Sequence, residues 1–185
     1  MKQSDTRVVE RGIRWAIVAV FIEGVRRRAP GAMVNAIFSL VGTFVPELFE
    51  RVFGVEFRPW QRVYVESAML THSLGMLGPY DDVWWWDHLT HAHTATIVGG
   101  LVHVVSHRRG RDPDSRVVAT IVCTGIIWEL AEYGIHSAAD RLGIEPILVS
   151  YGRADTVLDL VFNLVGAFLV VLFGDRVLRN LTNEE

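Results

Sequence analysis

The sequence predicts an all-α, polytopic membrane protein of about six transmembrane helices, and three observations carry that expectation. Residues 29–46 and 88–107 contain no Asp, Glu, Lys or Arg; both runs are close to the ~20 residues that cross about 30 Å of hydrocarbon at 1.5 Å per residue. Shorter uncharged runs cover 67–80, 117–128 and 160–174, with prolines 30, 46, 59, 79, 113 and 146 at or between the runs, where a missing backbone donor costs least. Basic residues, finally, collect on alternate connectors. A compact soluble bundle is the competing reading, but soluble helices rarely run to such lengths without a charge.

The amount of apolar residue does not separate these readings. Half of the 185 residues are hydrophobic, no more than soluble proteins carry. A net charge of −3 and a pI near 6.2 give no support to nucleic-acid binding, which wants a basic face. The single cysteine, Cys123, lies in the apolar run ATIVCTGIIW and forms no internal disulfide. The opening MKQSDTRVVERG carries acids and no long apolar stretch, so no cleaved leader is expected.

Taken in order, the expected helices lie near 12–25, 29–47, 62–78, 84–106, 117–137 and 154–174, in one integral membrane domain spanning 1–185. The first is the weakest, interrupted by Arg14 and Glu23. The second is a clean apolar run that Pro46 ends. Reaching spanning length brings Glu66 into the third, Glu129 and Glu132 into the fifth, and Asp155 and Asp159 into the sixth. RRRAP, LGPYDDV, HRRGRDPDSR and AADRLGIEPILVSYGR read as loops between them. With both termini cytoplasmic, twelve basic residues fall inside and Arg26, Arg27, Arg28, Arg141 and Arg153 outside, the bias expected of a plasma-membrane, multi-pass protein. Dropping the first helix would erase that bias. Trp84, Trp85 and Trp86 then sit at the outer interface, where amphipathic rings are favoured.

This topology puts the polar residues of the last three helices at similar depth. Asp87, His88 and His91 share a helix face, as do Glu129, Glu132 and His136, and then Asp155, Asp159, Asn163 and Gly166. An isolated charge in hydrocarbon costs on the order of 3 kcal/mol even on a lenient scale. These faces are therefore expected to meet in one outward-opening pocket, with His72 of the third helix in the same outer half. Small residues at four-residue spacing, Ser67, Thr71 and Gly75, then Ala92, Thr96 and Gly100, allow close backbone approach.

DHLTH, WELAE and ADTVLDLVFNLVGA, each on its own hydrophobic helix, resemble the signatures of VanZ-like and YjdF-like integral membrane proteins. ESAMLTHSLGMLGPY resembles the YjdF-like pattern as well, so the resemblance covers roughly 45–172. It implies polar site positions at Asp87, His91, Glu129, Glu132, Asp155 and Asp159, with His72 a further match, and a cell-envelope setting. The basic residue usual after the first Asp is His88 in this chain.

Two function classes and a bland alternative use these residues. In the enzyme reading, Asp87, His91, Glu132, Asp155 and Asp159 are metal ligands, with His72, His88, His136 and Asn163 as additional candidates. Such mixed N/O donors suit zinc, manganese or iron. Glu129, Glu132 and Asp159 are the catalytic candidates, one unligated carboxylate acting as base on a metal-bound water. The expected substrate is a lipid or lipid-linked envelope molecule, and the partners are membrane lipids, not nucleic acid. No HExxH is present. In the transport reading the same acids carry protons or cations. A through-path is lacking in one chain unless a homodimer supplies it. In the bland reading Asp155 and Asp87 cap helices and the rest tie helices together, but interhelical polar contacts contribute only about 0.6 kcal/mol on average. A bis-histidine haem held by His91 and His136 is a further option. His93, His103 and His107 read as packed or interfacial.

Overall fold

A computed structural model describes residues 3–182, all helix, turn and loop with no strand among them. The protein is an all-α membrane protein, and its chain resolves into two compact units, one ending at Trp86 and the other beginning at Asp87.

The amino-terminal unit contains α1 (Gln3–Arg27), α2 (Pro30–Gly42), α3 (Val45–Phe53), α4 (Pro59–Gly75) and the short α5 (Pro79–Asp82). Ile13, Ile17 and Val20 of α1 bury against Ala36 of α2, with Val63, Met69 and Leu70 of α4 closing the cluster. Several boundaries differ from those expected. Helix α1 starts nine residues before position 12, because Thr6 and Glu10 on its polar extension are themselves buried. The second helix ends at Gly42, and Pro46 opens α3 instead of terminating α2. A proline in a first turn lacks only an N–H that has no intrahelical partner anyway. The expected loop LGPYDDV contains α5.

The carboxy-terminal unit contains α6 (Trp86–Arg108), α7 (Pro113–Leu142), α8 (Arg153–Val177) and the short α9 (Arg179–Thr182). Ala95 of α6, Val117 and Ile121 of α7, and Ala167 and Val170 of α8 form its core. Close approach is written into glycines. A Cβ at Gly166 would lie 2.6 Å from Ala95 Cβ and 2.7 Å from the Ala92 carbonyl oxygen, so α6 and α8 meet through bare backbone. Helix α7 runs five residues beyond 137 and is capped by Gly143 at a φ of +65°; glycine takes this left-handed conformation without a Cβ clash.

Among the described residues, three stretches are long and apolar enough to cross a membrane: Pro30–Phe53 taken through the turn between α2 and α3, Pro113–Leu142 and Arg153–Val177. The five histidines of α6 lower its hydropathy without adding a formal charge, which is why counting charges alone marks more spans. On α7 and α8, Ile127, Leu130, Val161, Phe168, Leu172 and Phe173 stand exposed. Contiguous apolar surface of this kind suits lipid and penalises water.

Candidate functional site

The site lies within the carboxy-terminal unit, and helix periodicity assembles it. On α6, Asp87 and His91 are one turn apart, and the His91 Nε2 to Asp87 Oδ1 distance is 3.6 Å. On α8, Asp155 and Asp159 repeat the same spacing. Asp159 joins the two helices. Its Oδ1 lies 2.9 Å from His88 Nδ1 and 3.8 Å from His91 Nε2. Asp159 is only 1 % exposed and His88 only 3 %, so this pair has left water almost completely. The His88 ring stacks on Phe162 at 5.0 Å, which fixes its plane, and Asn163 hydrogen-bonds His91.

Among the described residues, two groups of three have ligand atoms within 4.8 Å of one another: Asp87, His91 and Asp159, and then His88, Asp155 and Asp159. Asp159 belongs to both. Each group offers one imidazole nitrogen and two carboxylates, a donor set suited to zinc, manganese or iron.

Glu129 of α7 hydrogen-bonds Thr156 on α8 and faces His91, Asp87 and Asp155 electrostatically. Its Oε1 is buried with no hydrogen-bond partner. A buried carboxylate oxygen left unpaired is costly and is a reason to look for what it serves. Glu132, half-buried one turn further on, faces Glu129, Asp87 and Asp155 but belongs to neither ligand group.

Other candidates lie elsewhere. His136 Nδ1 accepts a hydrogen bond from the Ser150 amide at 2.8 Å, and its Nε2 is 3.6 Å from Asp140, so it ties the loop after α7 to that helix. His72 belongs to the amino-terminal unit, where its Nδ1 is 3.0 Å from the Tyr80 hydroxyl. Asp155 and Asp87 stand in first turns, and the N-cap of α8 is Gly152, which removes the capping role considered for Asp155.

Two polar clusters were not anticipated. His103, buried on α6, has its Nε2 3.2 Å from Asp175 Oδ1. In the amino-terminal unit Arg62 pairs with Glu10, Glu47 and Glu50, and Arg14 pairs with Glu47 and Glu66. The signal for that network was legible as spacing: Glu10 and Arg14, Glu47 and Glu50, and Arg62 and Glu66 stand three or four apart on their helices.

Comparison with known proteins places the chain among membrane proteins. The model of a family described as predicted membrane protein (DUF2238) matches residues 10–180. An uncharacterized protein of Thermotoga maritima is 24% identical over 136 residues, covering 69% of this chain and 68% of that protein. No solved structure matches.

Proposed function

The chain belongs to the DUF2238 family of predicted membrane proteins, and from that premise we propose that it is a metal-dependent enzyme acting on a lipid or lipid-linked cell-envelope molecule. The observation that carries this reading is the convergence of two imidazoles and two further carboxylates on Asp159 between α6 and α8. Plain helix-to-helix adhesion does not account for that density, because burying acids without a compensating charge is expensive. A divalent cation supplies the compensation.

In this reading the metal ligands are drawn from Asp87, His88, His91, Asp155 and Asp159, and bound metal would bring the pKa of a coordinated water to roughly 7. Glu129 is the base, since its unpaired Oε1 is available to take the proton. Glu132 stands beside it as a second acid. The wider setting is a plasma-membrane protein of six spans with both ends cytoplasmic, its pocket opening to the outer leaflet. The resemblance of DHLTH, WELAE and ADTVLDLVFNLVGA to VanZ-like and YjdF-like proteins supports the envelope setting.

The test is turnover of an extracted envelope-lipid mixture by detergent-purified protein, with manganese or zinc against chelator. The expected result is a lipid product that requires metal, vanishes in Asp159→Asn and falls about 10²-fold or more in Glu129→Gln. A product formed equally well under chelation would refute the metal role. Protein that consumes no lipid, but moves protons or cations across vesicles in a Glu129-dependent way, would replace the enzyme with a carrier.

A further inference from the structure

We infer that the site is dinuclear, with the Asp159 carboxylate bridging two metal ions; this rests on the metal-dependent reading above. The ligands fall into two sets of three and not into one set of five. Donors to a single ion lie about 2.0–2.2 Å from it, which keeps any two of them within roughly 4.4 Å. Asp87 with His91, and His88 with Asp155, each satisfy closeness to Asp159 without forming one common group. One ion cannot take all five side chains where they stand; two ions sharing Asp159 match the two groups, whose ligand atoms lie within 4.8 Å of one another and reach bonding distance by small side-chain shifts.

The side-chain chemistry fits that division. Each ion receives one neutral imidazole, one carboxylate of its own and a share of Asp159, leaving positions open for water and substrate. His91 presents Nε2 and His88 presents Nδ1, so the two rings approach Asp159 from different turns of α6. Phe162 stacks on one ring and Asn163 bonds the other, so each imidazole is separately oriented, as metal-binding histidines usually are. Carboxylate-bridged metal pairs about 3.5–4 Å apart clamp both the attacking and the leaving oxygen of a displacement at phosphorus or carbon. A phosphoester or ester of the lipid headgroup region is therefore the substrate class such a centre serves.

The experiment loads the full-length detergent-purified protein with Mn²⁺, counts bound ions per chain by mass spectrometry and records the paramagnetic resonance spectrum. Wild type should hold about two ions with an exchange-coupled signal. His88→Gln and His91→Gln should each keep about one ion and show an uncoupled Mn²⁺ spectrum, whereas Asp159→Asn should lose both. Asp155→Asn, read against Asp87→Asn, repeats the division with isosteric changes if a histidine variant does not elute as one folded species. One ion in wild type, lost alike in every variant, would overturn the dinuclear centre and leave a mononuclear enzyme standing. No bound ion in folded wild type would overturn both.

Discussion

Asp159 is the residue on which the carboxy-terminal unit turns, because it is almost fully buried and stands against histidines on two turns of α6. Removing one partner of a buried charged pair typically costs about 3–5 kcal/mol, so Asp159→Ala should destabilise the protein as well as silence it, whereas Asp159→Asn keeps shape and some hydrogen bonding. Arg62 makes a second residue-scale case. Its Nε, Nη1 and Nη2 each donate to a different carboxylate, Glu10, Glu50 and Glu47, at 2.6 to 2.9 Å. Arg62→Ala should cost about 3 kcal/mol or more in thermal unfolding followed in detergent, and Arg62→Lys should recover only part, since a compact ammonium lacks the spread, planar fork by which three guanidinium nitrogens reach three acids. Wild-type melting in both variants would show that the network is solvated and weak. The chemistry-bearing residues of the last three helices stand out in the sequence because charge is rare in apolar runs. His88 is the exception, no more than an additional candidate from sequence, because spacing alone cannot show that Phe162 and Asp159 enclose it.

At the scale of elements, the helices follow their apolar runs but their ends do not. Polar turns extend α1 and α7 wherever a tertiary partner or a cap is present, and neither is visible as hydropathy. Asp112 caps α7 by accepting from the Asp114 and Ser115 amides. Hydrogen bonds from Ser115, side chain first and then backbone, hold the Asp112 carboxyl below its usual range. A lowered folded-state pKa means that the cap's contribution is complete above the ordinary aspartate range and is lost as pH falls through and below it. Protection of the Asp114 and Ser115 amides, taken relative to intrinsic exchange at each pH, should accordingly fall below that range in wild type and be low at all pH values in Asp112→Ala. Packing between α6 and α8 offers a sharper trial. Gly166→Ala places a Cβ against the Ala92 carbonyl oxygen, a backbone atom that cannot rotate away, and overpacking of this kind costs about 1–3 kcal/mol. The expected outcome is a lower melting temperature together with weaker metal binding, because the same helix pair carries Asp87, His91 and Asp159. A silent substitution would mean that α6 and α8 are not held this closely.

For the molecule as a whole, membrane character was legible because lipid-facing helices need no polar face, and the exposed apolar residues of α7 and α8 are the structural counterpart. The proposed orientation rests on arginines at 108, 109, 111 and 116, in and beside the turn that joins α6 to α7. A cysteine introduced at Gly110 in a Cys123→Ser background should react with an impermeant maleimide only after the cells are opened, and a reporter fused after Glu185 should read as cytoplasmic; labelling of intact cells would reverse the topology. The sequence leads one to expect the polar faces of the last three helices to meet, but not which side chains pair within them: Asp159 against His88 depends on the close approach of Gly166 to Ala95, which hydropathy does not register. The central claim is that this membrane protein holds a divalent metal between α6 and α8. Its most direct test is the metal content of detergent-purified wild type, before and after incubation with zinc or manganese, beside an Asp159→Asn variant that elutes as one folded species. Tightly held metal in wild type and none in the variant is the expected result, and folded wild-type protein that neither carries nor takes up a metal would contradict it.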